Sequence, residues 1–521
     1  MQIINKLKFV VYSFTMNIFC LTKLYDKKFN LENNKIAHNK YLMFEVRYDS
    51  SLVAMIYLFV IIFYRKNYKI LLFYYSPFDK YLGNIFFKFF YQFYFKILKN
   101  NCDVKIVNLY RKANKNQILK SYKIFKLIKN KKDVNKINYK KYNIGKYIYQ
   151  SYCRELLKET VDIKNKDLIK FILRAITTVD ETENLFKKFN IYKIFISHTM
   201  FIRFGLTCNV AKKNRAKIFI LHPITYRGYF NRISLLKISN KLLQIERYWL
   251  FKEDFKQIKN KRKALKNSKK DLDTRIYGGK ISSRFIKGGI SPYSNKILNF
   301  NSKKTKVIIL PSCFFDTANF YRSALFPDSY TWINYLLQKA KKTNYEWYVK
   351  SHPDGIKPNN VIIKKLKKKY PFIKILPSNI SNLTFKKNRF KAMFTFNGSA
   401  IHEFIYMGIP SYAASDNKQS GFTFGKRVKS INEFNNIIKN VDNLKIPKNY
   451  LNQILKFNYV FVNQLSRDWL VSNFLNDRIV KKLRALHDKN NILDEYKKLN
   501  ILYNNINNTQ IDNLYKILKK I

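Results

Sequence analysis

Short apolar runs alternate with longer mixed segments along most of this chain. In the first half, Lys69–Tyr75 (KILLFYY), Cys102–Tyr110 (CDVKIVNLY), Tyr192–His198 (YKIFISH) and Ala216–Pro223 (AKIFILHP) are brief and bounded by polar residues. Their β-branched and aromatic content gives them the form of strands. Asn84–Asn100 (NIFFKFFYQFYFKILKN) and the later stretch FGLTCNVAKKN fall between them and have the spacing of helices. Strand–helix–strand repetition predicts a parallel sheet covered by helices.

The pattern restarts after the glycines and proline of YGGK and KGGISPYS, which puts a domain boundary near Phe285–Lys304. Beyond it, Lys304–Ser312 (KTKVIILPS) reads as a strand, SYTWINYLLQKAKK as an amphipathic helix, and YEWYVKSHP as a strand ending at His352. VIIKKLKKKY follows as a helix, and FIKILP and Phe390–Phe396 (FKAMFTF) as strands. The expected architecture is α/β, with two Rossmann-like domains facing a cleft and helices at the C-terminus. The first domain covers residues 1–290, the second 300–445, and a helical brace and tail 446–521. Residues 112–140, rich in Lys and Asn, are expected to be an exposed insertion, because charge runs are usually solvated.

A length of 521 residues exceeds what one core organises, and a hydrophobic content of 47% suffices for more than one. The formal charge of +67 invites a nucleic-acid reading. Lysines far outnumber arginines, however, and Asn, Ile, Phe and Tyr are abundant too. That is a chain-wide compositional bias rather than a built patch, and base or phosphate readout by forked contacts leans on Arg. Nucleic acid is therefore not an expected partner, whereas anionic membranes and sugar phosphates are. Five separated cysteines form no CxxC or Cys/His cluster, which argues against zinc and a disulfide framework. The N-terminus lacks a small-residue cleavage site, and the apolar run Ser51–Tyr64 is shorter than the roughly 20 residues of a spanning helix. A cytoplasmic protein, peripheral on the inner face of the plasma membrane, is expected. Asn84–Asn100 is read as a core helix, with a membrane-surface anchor as its alternative.

Ligands of open α/β sheets sit at the carboxyl ends of strands. Two such ends carry unusual residues: YEWYVK runs into Ser351-His352-Pro353, and FKAMFTF into Asn397-Gly398-Ser399. Gly398 is expected to allow a tight turn and to leave Ser399 at a helix N-terminus, where free N–H groups favour a phosphate. Glu403, four residues on, shares the face of Ser399 and could accept from ribose hydroxyls. The plainer alternatives are that Ser399 is a cap and His352 a turn residue; His402 is read as a residue of the helix surface or one that supports the site from behind. Gly408 and Pro410 end that helix.

The ordered set VIILPS, DSYTWINYLLQKA, YEWYVKSHPDG and NGSAIHEFIYMGIPSYAAS, within Val307–Gly421, resembles the capsular polysaccharide biosynthesis proteins. These are GT-B type glycosyltransferases related to the capsule Kdo transferases. A fainter echo covers Tyr147–Glu155 and Ser197–Lys213. The resemblance implies that His352 and Ser399 hold donor phosphates, with Lys350 adding charge, Asn397 opening the loop and Glu403 on the ribose. Gln150 stands where an acidic residue is common in that family. A GT-B-like transferase would take a nucleotide-sugar donor, need no cofactor or metal, and act on a glycan or lipid-linked glycan. His198 is the candidate base for the acceptor hydroxyl, with Glu155 and Asp316 behind it, and His222 and Arg227 facing the cleft. The alternatives are a nucleotide-sugar epimerase or glycerophosphotransferase on the same fold, and a non-catalytic, membrane-docked assembly protein.

Overall fold

The computed structural model describes residues 39–46, 68–75, 102–226, 229–238, 246–277, 300–315, 324–351, 357–378, 380–398, 400–424, 426–446 and 448–463, with isolated positions at 60, 92, 94–96, 98–99 and 298. Strands β1 (Tyr41–Glu45), β2 (Lys69–Tyr74) and β3 (Val104–Asn108) come first, then a small hairpin of β4 (Asn138–Tyr139) and β5 (Tyr142–Asn143). β6 (Ile191–Ile196), β7 (Lys217–Tyr226) and β8 (Tyr229–Lys237) complete the first sheet. β9 (Lys306–Leu310), β10 (Glu346–Lys350), β11 (Lys374–Leu376), β12 (Ala392–Thr395), β13 (Ser411–Ala413) and β14 (Lys426–Arg427) make the second.

The first sheet runs β3-β2-β1-β6-β7-β8 and is parallel except for the β7–β8 pair. The second runs β11-β10-β9-β12-β13-β14 and is parallel throughout. In each, the first strand lies in the middle, the next two step outward on one side, and the rest step outward on the other. This is the doubly wound, Rossmann-like order, and it fixes a switch point between the first strand and its later neighbour. The expected α/β class with two Rossmann-like parts is what the sheets show.

The central strands are buried on both faces, as parallel strands covered by helices must be. All five residues of β1 and all four of β12 are buried. In the first sheet, Phe195 stacks on Phe44 at 4.4 Å and on Phe219 at 5.3 Å, tying β1, β6 and β7 together. In the second, Phe394 meets Trp347 at 5.7 Å and Tyr412 at 5.9 Å, linking β10, β12 and β13.

The two compact units are not contiguous in sequence. One comprises Met1–Lys120, Leu173–Leu243 and Asp468–Ile521, and the other Ser121–Ile172 and Gln244–Arg467. Helix Gly145–Leu156, which the sequence places before the boundary, thus belongs with the second sheet. The reason is a buried polar anchor: the Tyr149 hydroxyl donates to the Asp328 carboxylate, and Thr160 Oγ1 donates to it at 2.6 Å. Asp328 in turn caps helix Ser329–Ala340 through the Thr331 N–H. Helix Lys261–Tyr277 joins the same unit, with Ser268 Oγ donating to the Leu455 carbonyl at 2.7 Å on helix Tyr450–Asn463.

Residues 112–140 fold as helices Lys115–Lys126 and Lys131–Lys136 and the β4 strand, mostly exposed, with Ser121, Val134, Ile137 and Tyr139 buried. Within 84–100, Tyr94 and Leu98 are fully buried and Phe95 lies 5.2 Å from Tyr74 of β2, whereas Gln92, Lys96 and Lys99 are exposed. Val60 is buried, and the rest of Ser51–Tyr64 lies outside the described residues. Among the described residues, no helix is long and apolar enough to cross a membrane.

Candidate functional site

The switch point of the second sheet falls between β9 and β12, and two polar residues meet there. β9 runs into Pro311-Ser312, and β12 into Phe396-Asn397-Gly398. The Ser312 hydroxyl lies against the Asn397 carbonyl and 2.9 Å from its Oδ1, and it accepts from the Asn397 N–H at 3.3 Å. Thr395 Oγ1 also donates to that carbonyl, at 3.1 Å. Asn397 is 7% exposed, and its Nδ2 is buried without an acceptor among the described residues. Turning the amide over moves the deficit to Oδ1 rather than removing it. A buried amide with a free polar atom costs free energy unless something supplies the partner.

Gly398 does not sit in the left-handed region; among the described glycines that conformation belongs to Gly408, at φ 89°. A Cβ on Gly398 would come within 3.2 Å of Thr395 Oγ1, so the glycine serves close approach rather than the tight turn expected of it. Gly408 ends helix Ala400–Tyr406 as expected, with its N–H bonded to the Ile405 carbonyl at 3.0 Å. Ser399, His352, Asp316 and Arg227 lie outside the described residues, and His222 is placed by its backbone alone, within β7.

Glu403, expected at the ribose, is 1% exposed and held from both sides. Its Oε1 lies 2.5 Å from Arg275 Nε, and its Oε2 accepts from Asn382 Nδ2 at 3.2 Å. Lys350 is drawn into the same interior network, with Nζ 3.5 Å from Asn382 Oδ1 and 5.8 Å from the Phe385 ring. Burial pushes the Lys350 ammonium down to about 8, against a weaker upward pull from Glu403. The carboxylate and the ammonium therefore form a buried charge network beneath the strand ends, not a pair of surface ligands. Of the two readings of His402, the surface one fails: it is 2% exposed, with Nδ1 3.2 Å from Gln419 Nε2 and its ring 5.1 Å from Phe457.

The first sheet repeats the arrangement at its own switch point, between β1 and β6. The Glu45 carboxylate accepts from both the N–H and the hydroxyl of Ser197, each at 2.7 Å, and both residues are buried. His198 follows directly, partly buried, edge-on to Phe204 at 5.4 Å. The chain then enters a π-helical turn, Phe201–Leu206, through Phe201 at φ 62°. Tyr75 OH closes the turn, bonded to the Arg203 carbonyl and to Thr207 Oγ1, each at 2.5 Å. π-helical turns and left-handed non-glycine residues concentrate at functional sites. Glu155 belongs to the second unit, exposed on helix Gly145–Leu156, where Gln150 is buried.

Sequence reading missed Glu45, Ser312, Asn382 and Arg275. Glu45 had a signal: it ends an apolar strand in a chain with only 33 acidic residues. Arg275, on a lysine-rich helix, had none.

No protein-family description matches the chain, and no curated protein matches it. Solved structures with similarity include the KpsC β-Kdo 2,4 transferase of Thermosulfurimonas dismutans, at 12% identity over 51% of this chain and 78% of that one, with a TM-score of 0.29. The UDP-GlcNAc 2-epimerase of Methanocaldococcus jannaschii, in complex with UDP-GlcNAc and UDP, is 8% identical over 82% of this chain and 99% of that one, with a TM-score of 0.23. The wall teichoic acid polymerase TagF is 11% identical over 93% and 99% of the respective chains, with a TM-score of 0.20. These likenesses are remote, and the assignment of two Rossmann-like sheets stands on strand order and register.

Proposed function

We propose that this chain is a GT-B type glycosyltransferase that moves a sugar from a nucleotide-sugar donor onto a surface glycan of the capsular or lipopolysaccharide kind. The observation that carries the donor site is the Ser312–Asn397 pair, at the switch point of the second sheet, with a buried amide atom awaiting a partner. The sequence resemblance over Val307–Gly421 supports the same placement and adds His352 and Ser399 as phosphate ligands.

In this reading, the donor's phosphates lie over the carboxyl ends of β9, β10 and β12. Negative charge grows on the leaving phosphate as the glycosidic bond breaks, and fixed donors there lower the barrier. His198 takes the proton of the acceptor hydroxyl. Glu45 holds the loop that carries His198 by clamping both polar groups of Ser197.

Asn397→Ala is expected to weaken nucleotide binding about tenfold at a small stability cost of about 1 kcal/mol, because it removes the Ser312–Oδ1 bond along with an incompletely bonded amide. Calorimetric titration with UDP, GDP and CMP alongside a urea melt reads both; unchanged affinity for every nucleotide removes the donor-site assignment. His198→Ala should lower turnover about a hundredfold with donor affinity preserved. Normal turnover in that variant excludes it as the base. Nucleotide release that requires a glycan acceptor supports transfer, whereas isomerised sugar without an acceptor supports the epimerase reading.

A further inference from the structure

Helix Lys115–Lys126 carries apolar residues on its outer side as well as on the side that packs on the protein. On its packed side Ser121 is fully buried, Ile124 and Phe125 are half-buried, and Gln117 Nε2 donates to Asp180 Oδ2 at 2.7 Å. Its outer side sets apolar residues among lysines. Ile118, Leu119 and Tyr122 are 38%, 60% and 49% exposed, and Leu127, just past the last turn, is 75% exposed. Ile118 and Tyr122, four apart, stack on one face, and Leu119 flanks them.

The segment itself is basic. From Arg111 to Lys132 there are nine Lys and Arg residues and no acidic one. Arg111 is turned to Glu181 at 3.1 Å, while Lys115, Lys120, Lys123 and Lys126 are exposed along the helix. An apolar patch rimmed by lysines needs a partner that is apolar and anionic together. Nucleic acid would meet the lysines but set Ile118, Leu119 and Leu127 against phosphates. A second copy would bring two lysine rims together in a chain of charge +67. The headgroup–acyl boundary of an anionic bilayer satisfies both demands.

We propose that helix Lys115–Lys126, with Leu127, docks on an anionic phospholipid surface. Ile118, Leu119, Tyr122 and Leu127 enter the boundary, and Lys120, Lys123 and Lys126 meet lipid phosphates. The assignment does not depend on the catalytic reading. It moves the membrane contact away from residues 84–100, whose described apolar positions Tyr94 and Leu98 are spent on the protein interior.

The test uses the full chain with vesicles of phosphatidylcholine alone or with roughly 30% phosphatidylglycerol. Co-sedimentation should occur with the anionic vesicles and weaken with salt. The combined variant Ile118→Ser, Leu119→Ser, Leu127→Ser should lower the partition coefficient by at least about tenfold, with an unchanged thermal melt because the residues are exposed. Separately, Tyr122→Trp should show quenching by brominated lipid beyond that of the parent protein. Undiminished binding by the triple variant, with no added quenching at Trp, overturns the proposal in favour of adsorption by overall charge. Absence of vesicle binding, or a dimer that the triple variant dissolves, overturns it as well.

Discussion

Replacing Arg275 with methionine is expected to destabilise the second unit by about 3–5 kcal/mol, more than any other single exchange among the buried charges. The expectation follows from an asymmetry in burial. Glu403 is 1% exposed and Arg275 16%, with Oε1 and Nε 2.5 Å apart. Without Arg275, the carboxylate keeps, among the described residues, Asn382 as a direct donor and Lys350 as a nearby charge, deep in the unit. Removing the carboxylate's charge is milder, because a guanidinium near the surface can rotate toward water. Glu403→Gln should therefore cost about 1–2 kcal/mol, and the double variant should be more stable than Arg275→Met alone. Urea unfolding of the three variants gives the coupling. Equal losses in the two single variants, or a double variant no better than Arg275→Met, would sink the pairing. Nucleotide titration adds a second discrimination: Glu403→Gln with intact stability and a large loss of affinity would return Glu403 to the ribose.

That contrast shows where the sequence was readable. Strands β2, β3, β6, β9, β10 and β12 were legible because their apolar runs are nearly continuous, as two-sided burial demands. β1 lies between stretches of similar composition, and β13 and β14 have only three and two residues, too short for a periodic signal. The unit composition was not legible at all. It depends on Tyr149 and Asp328, 179 residues apart, meeting in the interior, and no local pattern announces such a pair.

The site was half legible for the same reason. Strand ends are local features, so Asn397, Gly398 and His198 could be placed beside the switch points from sequence alone. What each residue faces is a tertiary fact. Glu403 shares a helix with the loop it was expected to serve, yet helix Lys261–Tyr277 brings Arg275 to its carboxylate. Ser312 ends a strand in plain view, but its bond to Asn397 spans 85 residues.

Lys350 sets the clearest opposition between stability and function, and Lys350→Met should make it measurable. A fall from 10.5 to about 8 means that the folded state binds this proton less well than the unfolded chain. The corresponding penalty is about 3 kcal/mol. The sign fixes the pH window: below about 8 both states carry the charge and the penalty is complete, and between about 8 and 10.5 it fades as the unfolded chain still holds a proton that the folded state has released. Lys350→Met should therefore be about 3 kcal/mol more stable than the parent at pH 7, and the gain should shrink toward zero near pH 10.5. Urea melts at pH 7 and pH 10 test this; a variant no more stable at pH 7 refutes the penalty. A buried ammonium kept at such a cost invites a functional account, and an anion over the end of β10 supplies one, since it restores the favoured charge. In the donor-site reading, nucleotide binding near pH 8.5 should take up a proton in the parent protein and not in Lys350→Met, seen as a buffer-dependent binding enthalpy. Proton uptake that persists in the variant would assign the linkage to another group and leave Lys350 as interior structure alone.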